Sequence, residues 1–161
     1  GVILDIGAGC GSIGLEALKL RPGLSLLSID KRIGSKKLIS ENAKRLAVSP
    51  LDIFEEDINN LLTSNHINSL RDAKRIIIGG CDKNTKLYII QELSKNMKSG
   101  NIITIPIIDI QIIRDLKMAL HKNNFSVSLN LIQTYKSLSI SEGMRLEPNN
   151  PVFLLKGKKI N

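Results

Sequence analysis

The segment Asp5-Ile6-Gly7-Ala8-Gly9-Cys10-Gly11-Ser12 sets a carboxylate ahead of three alternating glycines. Glycine permits positive φ and lets ligand atoms approach the backbone, while free N–H groups opening a helix favour a negative group. Two more acids fall at the ends of later apolar runs, Asp30 followed by Lys31, and Asp57 within Glu56-Asp57-Ile58. A fourth run ends in Ile78-Gly79-Gly80-Cys81-Asp82, where the glycine pair leaves an open shelf suited to a bulky ligand or a closely approaching cofactor. Each acid also has a purely structural use. Asp30 and Asp57 can cap the helices that follow them, and Asp5 can hold its turn through backbone hydrogen bonds.

These residues need elements that bring them to one edge. Short apolar runs predict strands over Val2 to Ile6, Ser25 to Ile29, Asp52 to Glu55, Arg75 to Ile78, Asn101 to Ile105, Ser126 to Gln133 and Val152 to Lys156. Apolar residues at three and four spacing predict helices over Ser12 to Leu20, Ile33 to Leu46, Asn84 to Met97 and Asp109 to Lys122, with a weaker one over Ile58 to Ser64. In the second helix, Leu38, Ile39, Ala43 and Leu46 mark the inner face, and Lys36, Lys37, Lys44 and Arg45 a solvated one. Pro22-Gly23, Ser99-Gly100 and Asn123-Asn124 read as turns or helix stops. The alternation describes β-α-β units in a mostly parallel, seven-stranded sheet with helices on both faces, and the acids fall at its carboxyl edge, where ligands bind. The connection Lys136 to Pro151 reads as long and unpatterned, a length that is more often functional than idle.

The chain has 161 residues, enough for one domain over 1–161, and 42% of them are hydrophobic. Its 23 Lys and Arg against 15 Asp and Glu give a net charge of +8, which points to an anionic partner: nucleic acid, a phosphate-bearing ligand or a polycarboxylate. With no Trp, two Tyr and three Phe, it has few rings on which unpaired bases could stack. No apolar run reaches the length of about 20 residues needed to cross a membrane. Cys10 and Cys81 are too few for a disulfide framework and lack metal-ligand spacing, so they read as reduced bystanders in a cytoplasmic setting, with no metal. His66 sits in a polar loop and His121 near a helix end, both away from the carboxyl edge.

Two frames compete for the first turn. A dinucleotide fingerprint can be laid on Gly9, Gly11 and Gly14 with Asp30 as the ribose acid, but it leaves Gly7 and Asp5 without a task. The frame Asp5-x-Gly7-x-Gly9-x-Gly11 uses all of them and resembles the cofactor loop of Rossmann-like S-adenosylmethionine methyltransferases. That resemblance implies a cofactor site of Asp5, Gly7, Ala8, Gly9, Cys10, Gly11, Ser12, Asp30, Lys31, Asp57, Ile58 and Gly79, with Asp30 on the ribose and Asp57 against the adenine.

The fourth-strand segment lacks the Asn or Asp followed by Pro-Pro and an aromatic that methylases of adenine or amide nitrogen carry. The late segment Ser137 to Phe153, ending in Asn150-Pro151-Val152, together with the first loop and Gly79-Gly80, resembles the decarboxylating precorrin methyltransferases of cobalamin biosynthesis. The resemblance spans the whole chain. It implies methyl transfer from S-adenosylmethionine to carbon 15 of a precorrin or cobalt-precorrin, with loss of carbon dioxide from the carbon-12 acetate. Gly80, Cys81, Gly143 and Arg145 become substrate-site candidates, Arg145 for a carboxylate or else as an ordinary surface arginine. It further implies a homo-oligomer, possibly a tetramer. Members of that family carry a segment ahead of the first strand, so the chain, which opens on Gly1, reads as cut from something longer, in some forms fused to a carbon-5 methyltransferase domain. No side-chain acid or base stands out as catalytic. An RNA methyltransferase on the same fold, or a non-catalytic binding subunit, are the alternative readings.

Overall fold

The computed structural model of the chain describes residues 1–63 and 70–160. The predicted end of the third helix at Ser64 and the loop residue His66 lie outside the described residues.

The strands are β1 (Val2–Ile6), β2 (Ser25–Ile29), β3 (Asp52–Phe54), β4 (Arg75–Ile78), β5 (Ile102–Ile107), β6 (Phe125–Ile132), β7 (Tyr135–Ile140), β8 (Gly143–Pro148) and β9 (Val152–Lys159). Between them run α1 (Ser12–Leu20), α2 (Ser35–Leu46), α3 (Ile58–Thr63), α4 (Lys83–Ser94) and α5 (Ile113–Lys122), the last entered through a short 3-10 turn at Ile110–Ile112. Seven strands form one sheet in the order β3-β2-β1-β4-β5-β9-β6. The pairs β3-β2, β2-β1, β1-β4 and β4-β5 are parallel, and β9 lies antiparallel between β5 and β6. This is the expected α/β sheet with helices on both faces.

Alternation along β1 and β2 assigns the faces. Leu4, Ile6, Leu27 and Ile29 join a core with Ile58 and Leu61 of α3, Ile89 and Ile90 of α4, and Leu116 and Leu120 of α5. Ile3 and Leu26 join a second core with Leu15 and Leu18 of α1 and Ile39 and Ala43 of α2. The chain winds outward in opposite directions from β1 and β4, so their carboxyl ends open a crevice between diverging loops.

Three expectations need correction. Leu38 is exposed rather than on the inner face of α2, where buried Ser35 takes the first-turn position. The connection Lys136 to Pro151 is a two-stranded hairpin, β7 with β8, closed by Ser141-Glu142. Its Ser-Leu-Ser-Ile-Ser alternation is the period of a strand, and the Lys136–Glu147 ion pair at 3.1 Å crosses it. Finally, β9 continues past Lys156 to Lys159, because Leu155, Gly157 and Lys159 all face inward. Gly157 leaves room for Leu120 and Phe125, and the Lys159 ammonium reaches the Asn123 carbonyl at 2.7 Å and lies over the Phe125 ring.

Candidate active site

The sheet ladder continues into the loops beyond it. Gly7 and Ala8 N–H groups both donate to the Ile29 carbonyl, and Asp30 N–H donates to the Phe54 carbonyl. The loops after β1, β2 and β3 are thereby held side by side. With the loop after β4 they enclose a cleft of about 490 Å³. Gly7, Gly9, Asp30, Lys31, Asp57, Ile58, Gly80 and Cys81, all predicted from sequence, line it.

Gly7 and Gly9 adopt positive φ, 68° and 67°. A Cβ on Gly7 would sit 2.6 Å from the Gly80 nitrogen, so the first and fourth loops come this close only because residue 7 is glycine. Asp5 lies beneath this turn, buried, with Oδ2 accepting the Gly14 N–H at 3.1 Å. A Cβ on Gly14 would fall 2.8 Å from that oxygen. Burial pushes the Asp5 carboxyl up to about 6; the Gly14 bond opposes the rise and the Asp30 charge adds to it. Asp5 thus joins strand to helix from below, without lining the cleft.

Asp30 is held from two sides. Its Oδ2 accepts the Gly9 N–H at 2.7 Å, and Arg32 donates to Oδ1 from both backbone N and Nε at 3.0 Å. Burial opposes its ionisation, but the bonds from Arg32 and Gly9 prevail and hold it below the usual carboxylate value. It does not cap α2, whose cap is Gly34 in the left-handed conformation. Asp57 combines both readings of its residue: Oδ1 accepts the Asn59 backbone and side-chain N–H groups at 2.9 Å, while Oδ2 faces Lys31 at 3.8 Å across the cleft.

Strand order, glycine turn and acid placement together describe a nucleotide-type cleft on a Rossmann-like sheet, and comparison with known proteins narrows the class. A family model described as "Precorrin methyltransferase domain" matches residues 1–159. The chain belongs to that family. It is similar to the Salmonella typhi cobalt-precorrin-6B C(15)-methyltransferase (decarboxylating), 23% identical, over 98% of this chain and 78% of that one. It is 30% identical to a Saccharolobus solfataricus protein named "Probable cobalt-precorrin-6B C(15)-methyltransferase (decarboxylating)", with the same coverage. Among solved structures it superposes on a precorrin-6y C5,15-methyltransferase from Geobacter metallireducens with a TM-score of 0.82 at 22% identity, over 98% of this chain and 80% of that one. As a methyltransferase the protein draws on a methyl donor.

Several residues predicted from the family resemblance lie off the cleft lining. Ala8 packs against the α1–α2 core, Gly11 is the buried left-handed N-cap of α1, Ser12 is its exposed first residue, and Cys10 is exposed with its carbonyl accepting Asn42 Nδ2. Gly79 gives no open shelf: the Gly7 carbonyl oxygen lies 2.9 Å from where its Cβ would be, so its small size serves loop contact, while Gly80 faces the cleft. Cys10 and Cys81 are free thiols, and burial pushes the Cys81 thiol up. Gly143 and Arg145 stand on the β7–β8 hairpin, exposed, with Arg145 4.0 Å from Glu147. The hairpin leaves the end of β6 and returns at the start of β9, so it rises from the same carboxyl edge as the cleft, at the far side of the sheet.

Sequence reasoning missed four polar contributors. Arg32, Glu56, Asp82 and Thr85 line the cleft, and Asp82 caps α4 by accepting the Thr85 N–H at 3.0 Å and its hydroxyl at 2.6 Å. Those bonds from Thr85 hold Asp82 below its usual value. Buried Lys86 is the fifth omission. Its ammonium donates to the carbonyls of Gly79 and Cys81, fixing the fourth loop from behind, and burial lowers its pKa against the opposing pull of Cys81 and Asp82. Its spacing from Ile89, Ile90 and Leu93 put it on the inner face of the helix, the one available signal. No helix among the described residues is long and apolar enough to cross a membrane, and no cluster of three or more metal-ligating side chains occurs among them.

Proposed function

We propose that this chain methylates carbon 15 of a precorrin or cobalt-precorrin from S-adenosylmethionine, with decarboxylation of the carbon-12 acetate, in cytoplasmic cobalamin biosynthesis. One observation carries the reading: Gly7, Gly9, Asp30 and Asp57 converge on a single cleft in a chain matched by the precorrin methyltransferase model from residue 1 to 159. The residues present fit the cofactor. Gly9 leaves the cleft side of its backbone clear of any side chain of its own, Ile6, Ile29 and Ile58 supply an apolar wall, and a carboxylate stands at the end of β2. S-adenosylmethionine supplies an electrophilic sulfonium methyl when bound. Asp30 would hold the ribose hydroxyls, Gly7 to Gly9 would pass under the amino-acid part, and Asp57 with Ile58 would border the adenine. Asp5 sets the angle of that loop through Gly14.

Gly80 and Cys81 form the wall nearest the acceptor, and Gly143 and Arg145 on the hairpin would meet a substrate carboxylate from outside. The rate rests on holding donor and acceptor carbon in line, with the reduced macrocycle supplying its own nucleophile, so no side-chain acid or base is assigned. The basic excess suits a polycarboxylate. Self-association would use edge strand β6 and the hairpin, where Leu129, Leu131, Ile132, Met144 and Leu146 are exposed beside an unpaired strand edge.

Calorimetric titration with S-adenosylhomocysteine, NAD as control and Asp30→Ala as variant, tests the cofactor class. Saturable binding that NAD does not reproduce and the variant loses is expected, followed by labelled methyl transfer to a precorrin. Failure of the homocysteine ligand to bind refutes the reading. The same charge favours an RNA methyltransferase as the second reading, which requires salt-dependent RNA binding.

A further inference from the structure

The four acceptor positions of Asp30 are all taken. Oδ1 receives Arg32 N and Nε, and Oδ2 receives Gly9 N and Arg32 Nη2, the last at 3.2 Å. A carboxylate offers about four lone-pair sites, so a ligand hydroxyl finds none free. Three of the four donors belong to Arg32. Its Nη2 also lies 3.2 Å from where a Gly9 Cβ would be, so the guanidinium covers the face of the loop that glycine leaves open. Yet the Arg32 side chain is 65% exposed, and every hydrogen bond its guanidinium makes among the described residues goes to Asp30. Removing it from the carboxylate breaks no other contact of that kind and leaves it in water at the cleft mouth beside Lys31.

We propose that Arg32 is a displaceable gate: the ribose hydroxyls of the adenosine ligand replace its guanidinium on Asp30, and the freed guanidinium then anchors a carboxylate of the acceptor substrate. The proposal rests on the cofactor site assigned above. While Arg32 is paired, Asp30 offsets its charge and occupies its Nε/Nη2 edge, so an anionic substrate meets only the remaining N–H groups with little net charge behind them. Once displaced, the same group presents that edge, with its two parallel donors and its full charge, to a carboxylate. Cofactor and acceptor therefore bind with positive coupling, and by linkage each tightens the other to the same degree.

The test is calorimetric binding by the wild type, Arg32→Gln, Arg32→Lys and Asp30→Asn. The ligands are S-adenosylhomocysteine, adenosine and 2′,3′-dideoxyadenosine, with uroporphyrin as a polycarboxylate tetrapyrrole probe. Arg32→Gln should bind S-adenosylhomocysteine and adenosine about two- to fivefold more tightly, the upper part of the range for removing an ion pair whose cation is exposed. Arg32→Lys, which cannot fork, should show a smaller gain. The dideoxy ligand should show no gain, a distinction that a merely structural Arg32 would not produce. Uroporphyrin should bind the wild type several-fold more tightly when S-adenosylhomocysteine is present, and Arg32→Gln should lose that difference. Equal or weaker nucleoside binding by Arg32→Gln, with Asp30→Asn still impaired, overturns the gate and leaves the cofactor site standing. Unchanged binding by Asp30→Asn overturns both.

Discussion

Replacing Asp5 by Asn isolates the cost of keeping a charge under the glycine turn. The carboxyl titrates at about 6 against an ordinary 3.8, a rise of about 2 units caused first by burial and then by the Asp30 charge. Each unit is about 1.4 kcal/mol, so ionised Asp5 costs the fold about 3 kcal/mol relative to its protonated form. Because the folded-state value is the raised one, the relative stabilisation from bound proton is complete below about pH 4 and is lost as pH passes about 6. Asn keeps a carbonyl to accept the Gly14 N–H and carries no charge at any pH. Urea denaturation of both proteins from about pH 4 to about pH 8 should therefore show the variant gaining on the wild type by up to about 3 kcal/mol, the change running between about pH 4 and about pH 6 with its midpoint near pH 5 and a plateau above. Any fixed penalty for the amide shifts that curve without bending it. Asp30→Asn, by removing the neighbouring charge, should move the midpoint to lower pH. A difference between Asp5→Asn and wild type that stays flat within about 0.5 kcal/mol across this range refutes the assignment of a raised Asp5.

Lys86→Met should cost about 2 kcal/mol in urea unfolding and weaken S-adenosylhomocysteine binding, because the Gly79 and Cys81 carbonyls lose a charged donor and the fourth loop its tether. Gly7→Ala should cost about 3 kcal/mol or more and abolish ligand binding, since its Cβ meets the Gly80 backbone at 2.6 Å on a positive φ. Gly100→Ala, also at positive φ but with nothing within 4 Å, should cost only about 1 kcal/mol and leave binding intact, as thermal melts and titrations would show. Asp57→Ala should lose about 1 kcal/mol of stability through the Asn59 bonds, whereas Asp57→Asn should retain most of it; both are read from denaturation midpoints.

The strands of the central sheet were legible because β-branched runs such as Val2-Ile3-Leu4 and Ile76-Ile77-Ile78 are buried on both faces and announce themselves without a partner. The convergence of Gly7, Gly9, Asp30 and Asp57 on one cleft was legible too, since loops at the carboxyl ends of neighbouring parallel strands lie side by side. What local pattern could not supply was the identity of neighbours. The hairpin of β7 and β8 reads as irregular chain in the sequence because its side chains face water on both sides and show no core-facing run. Gly79 and Gly80 looked alike in sequence, yet one is spent on contact with Gly7 and the other faces the cleft.

Sequence alone determined the sheet, its carboxyl edge and the acids placed there, because period and spacing are properties of the chain itself. Only the tertiary structure decided that Arg32 lies across Asp30, that Lys86 is buried behind the fourth loop, and that Asp5 feels the charge of Asp30. Lys86 takes its carbonyl partners from its own loop only once α4 has packed, and Asp5 and Asp30 meet through two adjacent strands. Desolvation and distance, which set each group's charge and reach, exist only after the chain has folded.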